Sequence, residues 1–189
     1  MQVTRLAIPD VLLIEAKRHR DERGWFEESY NKAALDPYLA GIDFIQDNHV
    51  KSSEKHTLRG LHFQVPPFAQ AKLVRCLVGT IYDVVVDIRV GSPTYGEWAG
   101  VELSSENGLQ LYVPVGFAHG YLTLSEDCEV LYKVNAPYAA QAAEGIHFAD
   151  PALGIVWPIE ASAPILNARD LALPRLSDLS SQFVYKGGA

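Results

Sequence analysis

Between Thr80 and Val90 the chain reads TIYDVVVDIRV, a stretch of β-branched and aromatic residues with charges recurring inside it. At the two-residue period of a strand, Tyr82, Val84, Val86 and Ile88 share one face, and Ile81, Asp83, Val85, Asp87 and Arg89 share the other. Such a strand leaves peptide groups unpaired along both edges, so it demands a sheet. The partners are close at hand. Leu58–Gln64, Lys72–Leu77, Gly96–Leu103, Leu109–Val113, Gly120–Leu124 and Val130–Val134 also read as short strands. Between them lie turn clusters: Val65-Pro66-Pro67, Gly91–Thr94, Ser104–Gly108, Pro114-Val115-Gly116 and Ser125-Glu126-Asp127. Helical periodicity is scarce. Its best segment is Lys32–Leu39, with Asn31 as N-cap, Gly41 as stop, and Pro37 keeping it short. Short strands without crossover helices predict a mostly β protein, an antiparallel jelly-roll β-barrel with few short helices.

The 189 residues fit one domain, 1–189, with an N-terminal strand extension over about 1–30 and a C-terminal tail over about 170–189. An apolar share of 48% against 21% charged residues is enough to build a core. Sixteen basic against twenty-three acidic residues give a net charge of −7 with no basic block, which argues against a nucleic-acid partner. The longest early apolar run, Val11–Ile14, is far too short for a signal peptide or a membrane span, so a soluble cytoplasmic protein without a membrane partner is expected. Cys76 and Cys128 stand in strand-like segments outside any metal or redox spacing and read as buried free thiols.

Chemistry is sought where polar residues interrupt the strands at period two. His62 and Gln64 share a face opposite Leu61 and Phe63; the face would touch a ligand, although a lone histidine is commonly a satisfied core or rim residue. Lys72 falls on the face of Val74 and Cys76, where an inward ammonium needs an anionic partner; the alternative is the solvated rim of an edge strand. Tyr132, between Val130 and Val134, has the pattern of a core tyrosine. His119 is bracketed by Gly116 and Gly120, where backbone can approach a ligand, or else is a turn histidine. His19, His49, His56, His62, His119 and His147 are scattered singly, without the paired spacing of a catalytic metal site, so no metal is expected.

Taken together, Asp21–Glu28 (DERGWFEE), Gln46-Asp47-Asn48-His49, Leu58–Gln64, Gln70–Val74, Gly116–Gly120, Tyr132-Lys133, Trp157-Pro158 and Arg169-Asp170 resemble the dTDP-4-dehydrorhamnose 3,5-epimerase family over most of the chain. The resemblance implies a cupin-type fold, no cofactor, and a nucleoside-diphosphate 4-keto-6-deoxy sugar as substrate. It makes His62 the base, Asp170 the acceptor of its other ring N–H, Tyr132 the opposing acid, and Lys72 the group facing the sugar O4. It also implies substrate contacts from Arg59, His119 and Tyr138, with Arg23 on the diphosphate. Glu28, Gln46, Asp47 and Asn48 would contact the nucleotide, and Glu144 and Arg169 would make late contacts. Arg169 and Asn167 stand where relatives often carry Lys and Ser. Arg59 and His62 have opposite strand parity, so only a bulge or a strand start at Gly60 brings both to one ligand. The family pairs as homodimers through exchanged N-terminal strands, here near Arg5–Ile14.

The expected reaction is inversion of C3 and C5 in dTDP-4-dehydro-6-deoxy-D-glucose, a step toward dTDP-L-rhamnose for cell-surface polysaccharide. Alternatives are a single-centre epimerase of another deoxysugar pathway, a metal-dependent cupin oxygenase, and a non-catalytic sugar-binding jelly roll.

Overall fold

A computed structural model of the chain describes residues 1–39, 41–159 and 163–187. In chain order the elements are β1 (Gln2–Arg5), β2 (Leu12–Glu15), β3 (Arg18–Asp21), β4 (Gly24–Glu27), α1 (Lys32–Leu39), β5 (Gln46–Ser52), β6 (Leu58–Gln64) and β7 (Lys72–Val78). There follow β8 (Thr80–Asp87), β9 (Trp98–Ser104), β10 (Leu109–Val113), β11 (Phe117–Thr123), β12 (Cys128–Val134), β13 (Ala143–Gly145) and α2 (Ala168–Leu171). One sheet has the order β1-β2-β10-β7-β12-β5 and the other β13-β6-β11-β8-β9, with β3 and β4 in a hairpin apart. From β6 to β12 the chain shuttles between the sheets at every step but the β8–β9 hairpin, which is jelly-roll connectivity. The sheets face each other as a sandwich. Among the described residues their edges are not hydrogen-bonded into a continuous barrel.

The sandwich has three apolar layers. Val74, Cys76, Leu111, Val113 and Val130 meet Ile81, Val85, Phe117 and Tyr121 between the sheets. On the outer side of the five-stranded sheet, Leu61, Phe63, Val84 and Val86 pack against Leu176 and Phe183 of the C-terminal segment. On the outer side of the six-stranded sheet, Leu12, Leu73 and Tyr112 meet Leu35 and Leu39 of α1, each worth about 1.5–3 kcal/mol of burial. Strand β8 is therefore apolar on both faces because both are covered. The C-terminal tail packs rather than frays: Ser181 Oγ donates to the Ile88 carbonyl at 2.6 Å and Val184 bridges to Val90. Gly188 and Ala189 lie outside the described residues.

Helix α1 has the predicted bounds; Asn31 Oδ1 caps it by accepting from the Ala34 N–H at 3.2 Å, and Gly41 follows at φ +74°. Strand bounds shift where side chains intervene. Strand β8 stops at Asp87 because that carboxylate accepts from the Arg89 N–H and from the Ser92 and Thr94 hydroxyls, folding the next turn onto itself. Strand β11 starts at Phe117, so His119 sits inside a strand and not in a turn. Strand β7 lies between β10 and β12, which removes the edge-strand reading of Lys72. The stretch 5–14 is not one continuous strand. It turns back through a Leu6 N–H to Val11 carbonyl bond of 3.1 Å, and β2 pairs with β10 of its own chain. Among the described residues no helix is long and apolar enough to cross a membrane.

Candidate active site

The polar residues on the inner faces converge between the sheets. Arg59, His62, His119 and Tyr121 from the five-stranded sheet and Val50, Lys72 and Tyr132 from the six-stranded sheet line a cavity of about 170 Å³, with Asn167 and Asp170 at its wall. A second compartment of about 120 Å³ shares His62, Lys72 and Tyr132 and adds Gln64, Gln70, Tyr138, Glu144 and Arg169. The three shared side chains stand at the junction.

The parity conflict between Arg59 and His62 is resolved by a bulge. His119 of β11 pairs with His62, but Tyr121 pairs with Arg59, so two residues of β6 stand opposite Gly120 alone. Both partners of the crossing must be glycine. Gly60 has φ +133°, and a Cβ there would lie 2.5 Å from Gly120 Cα; a Cβ on Gly120 would lie 2.6 Å from the Arg59 carbonyl oxygen. The extra residue turns Arg59 to the face of His62, His119 and Tyr121.

His62 Nε2 lies 2.7 Å from Asp170 Oδ1. The carboxylate only accepts, so Nε2 carries the proton and Nδ1 keeps the lone pair. Asp170 itself is fully buried; its Oδ2 accepts from the Gly60 N–H at 3.1 Å, and its own N–H donates to Asn167 Oδ1 at 2.7 Å. Burial pushes the His62 pKa below the usual imidazole value, against the opposing pull of Asp170. The ring is thus a neutral base near neutral pH.

Lys72 is buried, and among the described residues no carboxylate stands within ion-pair distance of it. The expected anionic partner is indirect: Nζ donates to His119 Nδ1 at 3.4 Å and to the His62 carbonyl at 3.3 Å, and His119 Nε2 lies 2.8 Å from Asp83 Oδ1. Burial lowers the Lys72 pKa to about 8, with Asp83 working in the other direction. The ammonium is therefore charged at neutral pH but easily discharged. Tyr132, which the alternation of β12 assigns to the core, does face inward beside Val130 and Val134, and it lines both compartments. Burial raises its phenol pKa, keeping it a proton donor.

Of the other predicted contacts, Arg59, His119, Tyr138, Glu144 and Arg169 line the two compartments; Tyr138 is 62% exposed, and Arg169 Nη2 donates to the Ala143 carbonyl at 3.0 Å. Arg23 and Glu28 do not line either one. Arg23, with its side chain 83% exposed, pairs with Asp21 at the tip of the β3–β4 hairpin, and Glu28 accepts from Asn31 Nδ2 at 2.9 Å. The Gln46–Asn48 run is split by strand alternation. Gln46 and Asn48 bond to each other at 2.8 Å on the face of Val50, whereas Asp47 turns outward to Lys133 at 2.9 Å. Sequence reasoning missed Tyr121, Asp83 and Asn167 as parts of the site. Tyr121 stands two residues beyond His119, and Asp83 shares a face of β8 with Ile81 and Val85, so period two alone is signal enough for both. Among the described residues no group of three or more His, Cys, Asp or Glu side chains could hold a metal ion.

A sequence model of the dTDP-4-dehydrorhamnose 3,5-epimerase family matches residues 5–178. The chain belongs to this family. It is 51% identical over 177 residues to the dTDP-4-dehydrorhamnose 3,5-epimerase of Salmonella typhimurium, covering 93% of this chain and 96% of that one. It is 46% identical over 185 residues to the Sinorhizobium fredii protein of the same name, covering 98% and 94%. A crystal structure of dTDP-6-deoxy-D-glucose-3,5-epimerase from Legionella pneumophila, in complex with dTDP-4-keto-L-rhamnose, superposes with a TM-score of 0.93 at 39% identity, over 98% of this chain and 99% of that one.

Proposed function

We propose that this chain, acting as one domain, inverts C3 and C5 of dTDP-4-dehydro-6-deoxy-D-glucose to give dTDP-4-dehydro-L-rhamnose, a step in dTDP-L-rhamnose biosynthesis. One observation carries the reading: His62 and Tyr132 project from opposite sheets into the same cavity, which the Lys72 ammonium also lines.

The C4 carbonyl acidifies the hydrogens on both neighbouring carbons. His62 Nδ1 takes one such hydrogen as a proton, and the C–H electron pair moves onto O4 to form an enolate. The imidazolium so formed is held by Asp170, whose carboxylate is already in place. The Lys72 ammonium stabilises the enolate oxygen; one such preorganised donor is worth about 3–4 kcal/mol. Tyr132 then gives its hydroxyl proton to the opposite face of the carbon, and the centre is inverted. C3 and C5 both flank C4, so the same oxygen collects the charge in either inversion. No electron leaves the substrate, and no step calls for a redox cofactor. Arg59 and Arg169 supply positive charge for the diphosphate, and Tyr138 offers an exposed ring to the base.

The same reading includes a cytoplasmic homodimer. Support for the compartment comes from Cys76 and Cys128, both buried and free. Support for the dimer comes from the β3–β4 hairpin, whose Phe26 is 70% exposed beside Trp25 and Arg23, the latter held only by Asp21 of its own hairpin among the described residues. A second copy would cover these rings and bring Arg23 and Glu28 to a nucleotide. Sedimentation at micromolar concentration should give twice the chain mass; a monomer that turns over normally would remove the dimer from the account.

Turnover in deuterated water followed by NMR tests the function. The expected product carries solvent deuterium at both C3 and C5. Label at one carbon alone would assign a single-centre epimerase, and no label would overturn the proposal.

A further inference from the structure

Beneath the cavity lies a carboxylate that the reaction as described does not use. Asp83 is fully buried on β8; its Oδ1 is bound to His119 Nε2 at 2.8 Å, and its Oδ2 has no hydrogen-bond partner among the described residues. An interior carboxylate with an unpaired oxygen is retained only against a neighbouring positive charge. His119 stands between Asp83 and Lys72. Because the carboxylate can only accept, it fixes the proton on His119 Nε2 and leaves Nδ1 as an acceptor turned to Lys72. An ammonium has three N–H bonds. One goes to His119 Nδ1 and one to the His62 carbonyl, which leaves the third for the cavity.

We propose that Asp83 is a positioning residue of the epimerisation: acting through His119, it keeps the Lys72 nitrogen protonated and turns its remaining N–H toward the substrate's carbonyl oxygen. The proposal rests on the epimerase reading and adds to it the group that keeps the electrophile charged. Alternative sources of that control are accounted for. Asp170 is committed to His62 and the Gly60 N–H, and Glu144 of β13 lines only the outer compartment. Arg59 of β6 and Arg169 of α2 are cations and oppose a charged Lys72. The phenols of Tyr121 on β11 and Tyr132 on β12 are both raised by burial, so they stay neutral where Lys72 discharges. Burial lowers His119 as well, which favours the neutral ring that the relay requires.

The sign of the pH dependence follows. In the parent, kcat/KM should fall on the acid side below pH 6.5, as His62 gains a proton, and on the alkaline side near pH 8, as Lys72 loses one. Asp83→Asn keeps the shape and an acceptor oxygen for His119 but removes the charge. The expected result is an alkaline limb moved to lower pH by about one unit, hence a loss of roughly fivefold in kcat at pH 8, with the acid limb and dTDP affinity left in place. Asp83→Glu should restore the limb partly. A merely structural role would lower kcat or thermal stability without moving the alkaline limb, and that outcome overturns the proposal. A second measurement needs no variant: ¹⁵N NMR of histidine-labelled parent protein should show His119 neutral and protonated on Nε2 at pH 7. A charged ring, or one protonated on Nδ1, overturns the proposal even where Asp83→Asn does not fold. Parent turnover of the 4-keto sugar nucleotide is measured first, so loss of the epimerase reading and loss of this relay are separate results.

Discussion

His62→Ala is expected to lose at least about 10²-fold in kcat, the lower end of what a positioned general base contributes. It should lose solvent exchange at C3 and C5 in equal measure, since no other group in the cavity has a neutral ring nitrogen free of a hydrogen-bond partner. His119 cannot substitute, because both of its nitrogens are engaged. Folding should survive at a measurable cost. Asp170 keeps the Gly60 N–H but loses its ring partner while remaining fully buried, a penalty of about 1–3 kcal/mol. In a chain of this size that corresponds to a fall of roughly 2–4 °C in Tm per kcal/mol. Calorimetry, dTDP titration and turnover therefore separate the base from a packing residue: Tm falls modestly, dTDP still binds, and turnover collapses. Turnover close to the parent's would remove His62 from the mechanism.

The parts of the fold legible in the sequence are those whose two-residue pattern is paired with a local stop. Strands β6 and β10 and helix α1 match to the residue because Val65-Pro66-Pro67, Ser104–Gly108 and Asn31 act within a few positions. Strands β3, β4 and β13 left no such trace. Arg18–Asp21 is wholly polar and Ala143–Gly145 has three residues, so partners distant in sequence decide their conformation. The site divides the same way. Alternation sets Lys72 and Tyr132 on interior faces, and their chemistry then follows from residue type. The His62–Asp170 contact spans 108 residues, and no local pattern announces it; only the family resemblance brought the two together. The bulge at Gly60 lies between these cases. Parity shows that Arg59 and His62 conflict, but only the close approach of Gly60 and Gly120 shows which backbone gives way.

Tyr132→Phe should separate two reactions that run together in the parent. The change removes one hydroxyl at the cavity wall, so its cost in stability is at most that of an ordinary hydrogen bond, about 0.5–1.5 kcal/mol. A core tyrosine would show no more than that. As the acid across the cavity from His62, however, it supplies the only proton delivered to the far face. Without it, the enolate still forms, because His62, Asp170 and Lys72 are untouched, and the His62 imidazolium can return a solvent-derived proton to the face it came from. Deuterium then enters the substrate with its configuration retained. Inverted product should fall by roughly 10²-fold or more, while exchange at the acidified C–H positions persists. The measured quantity is the ratio of deuterium in recovered 4-keto sugar to inverted product, followed by NMR over one time course for parent and variant. A rise in that ratio, set beside the loss of both processes in His62→Ala, assigns abstraction and reprotonation to different sheets. An unchanged ratio with near-normal turnover would return Tyr132 to the core, and the second proton would have to come from another group lining the same cavity, of which Tyr121 carries the one other phenol in the inner compartment.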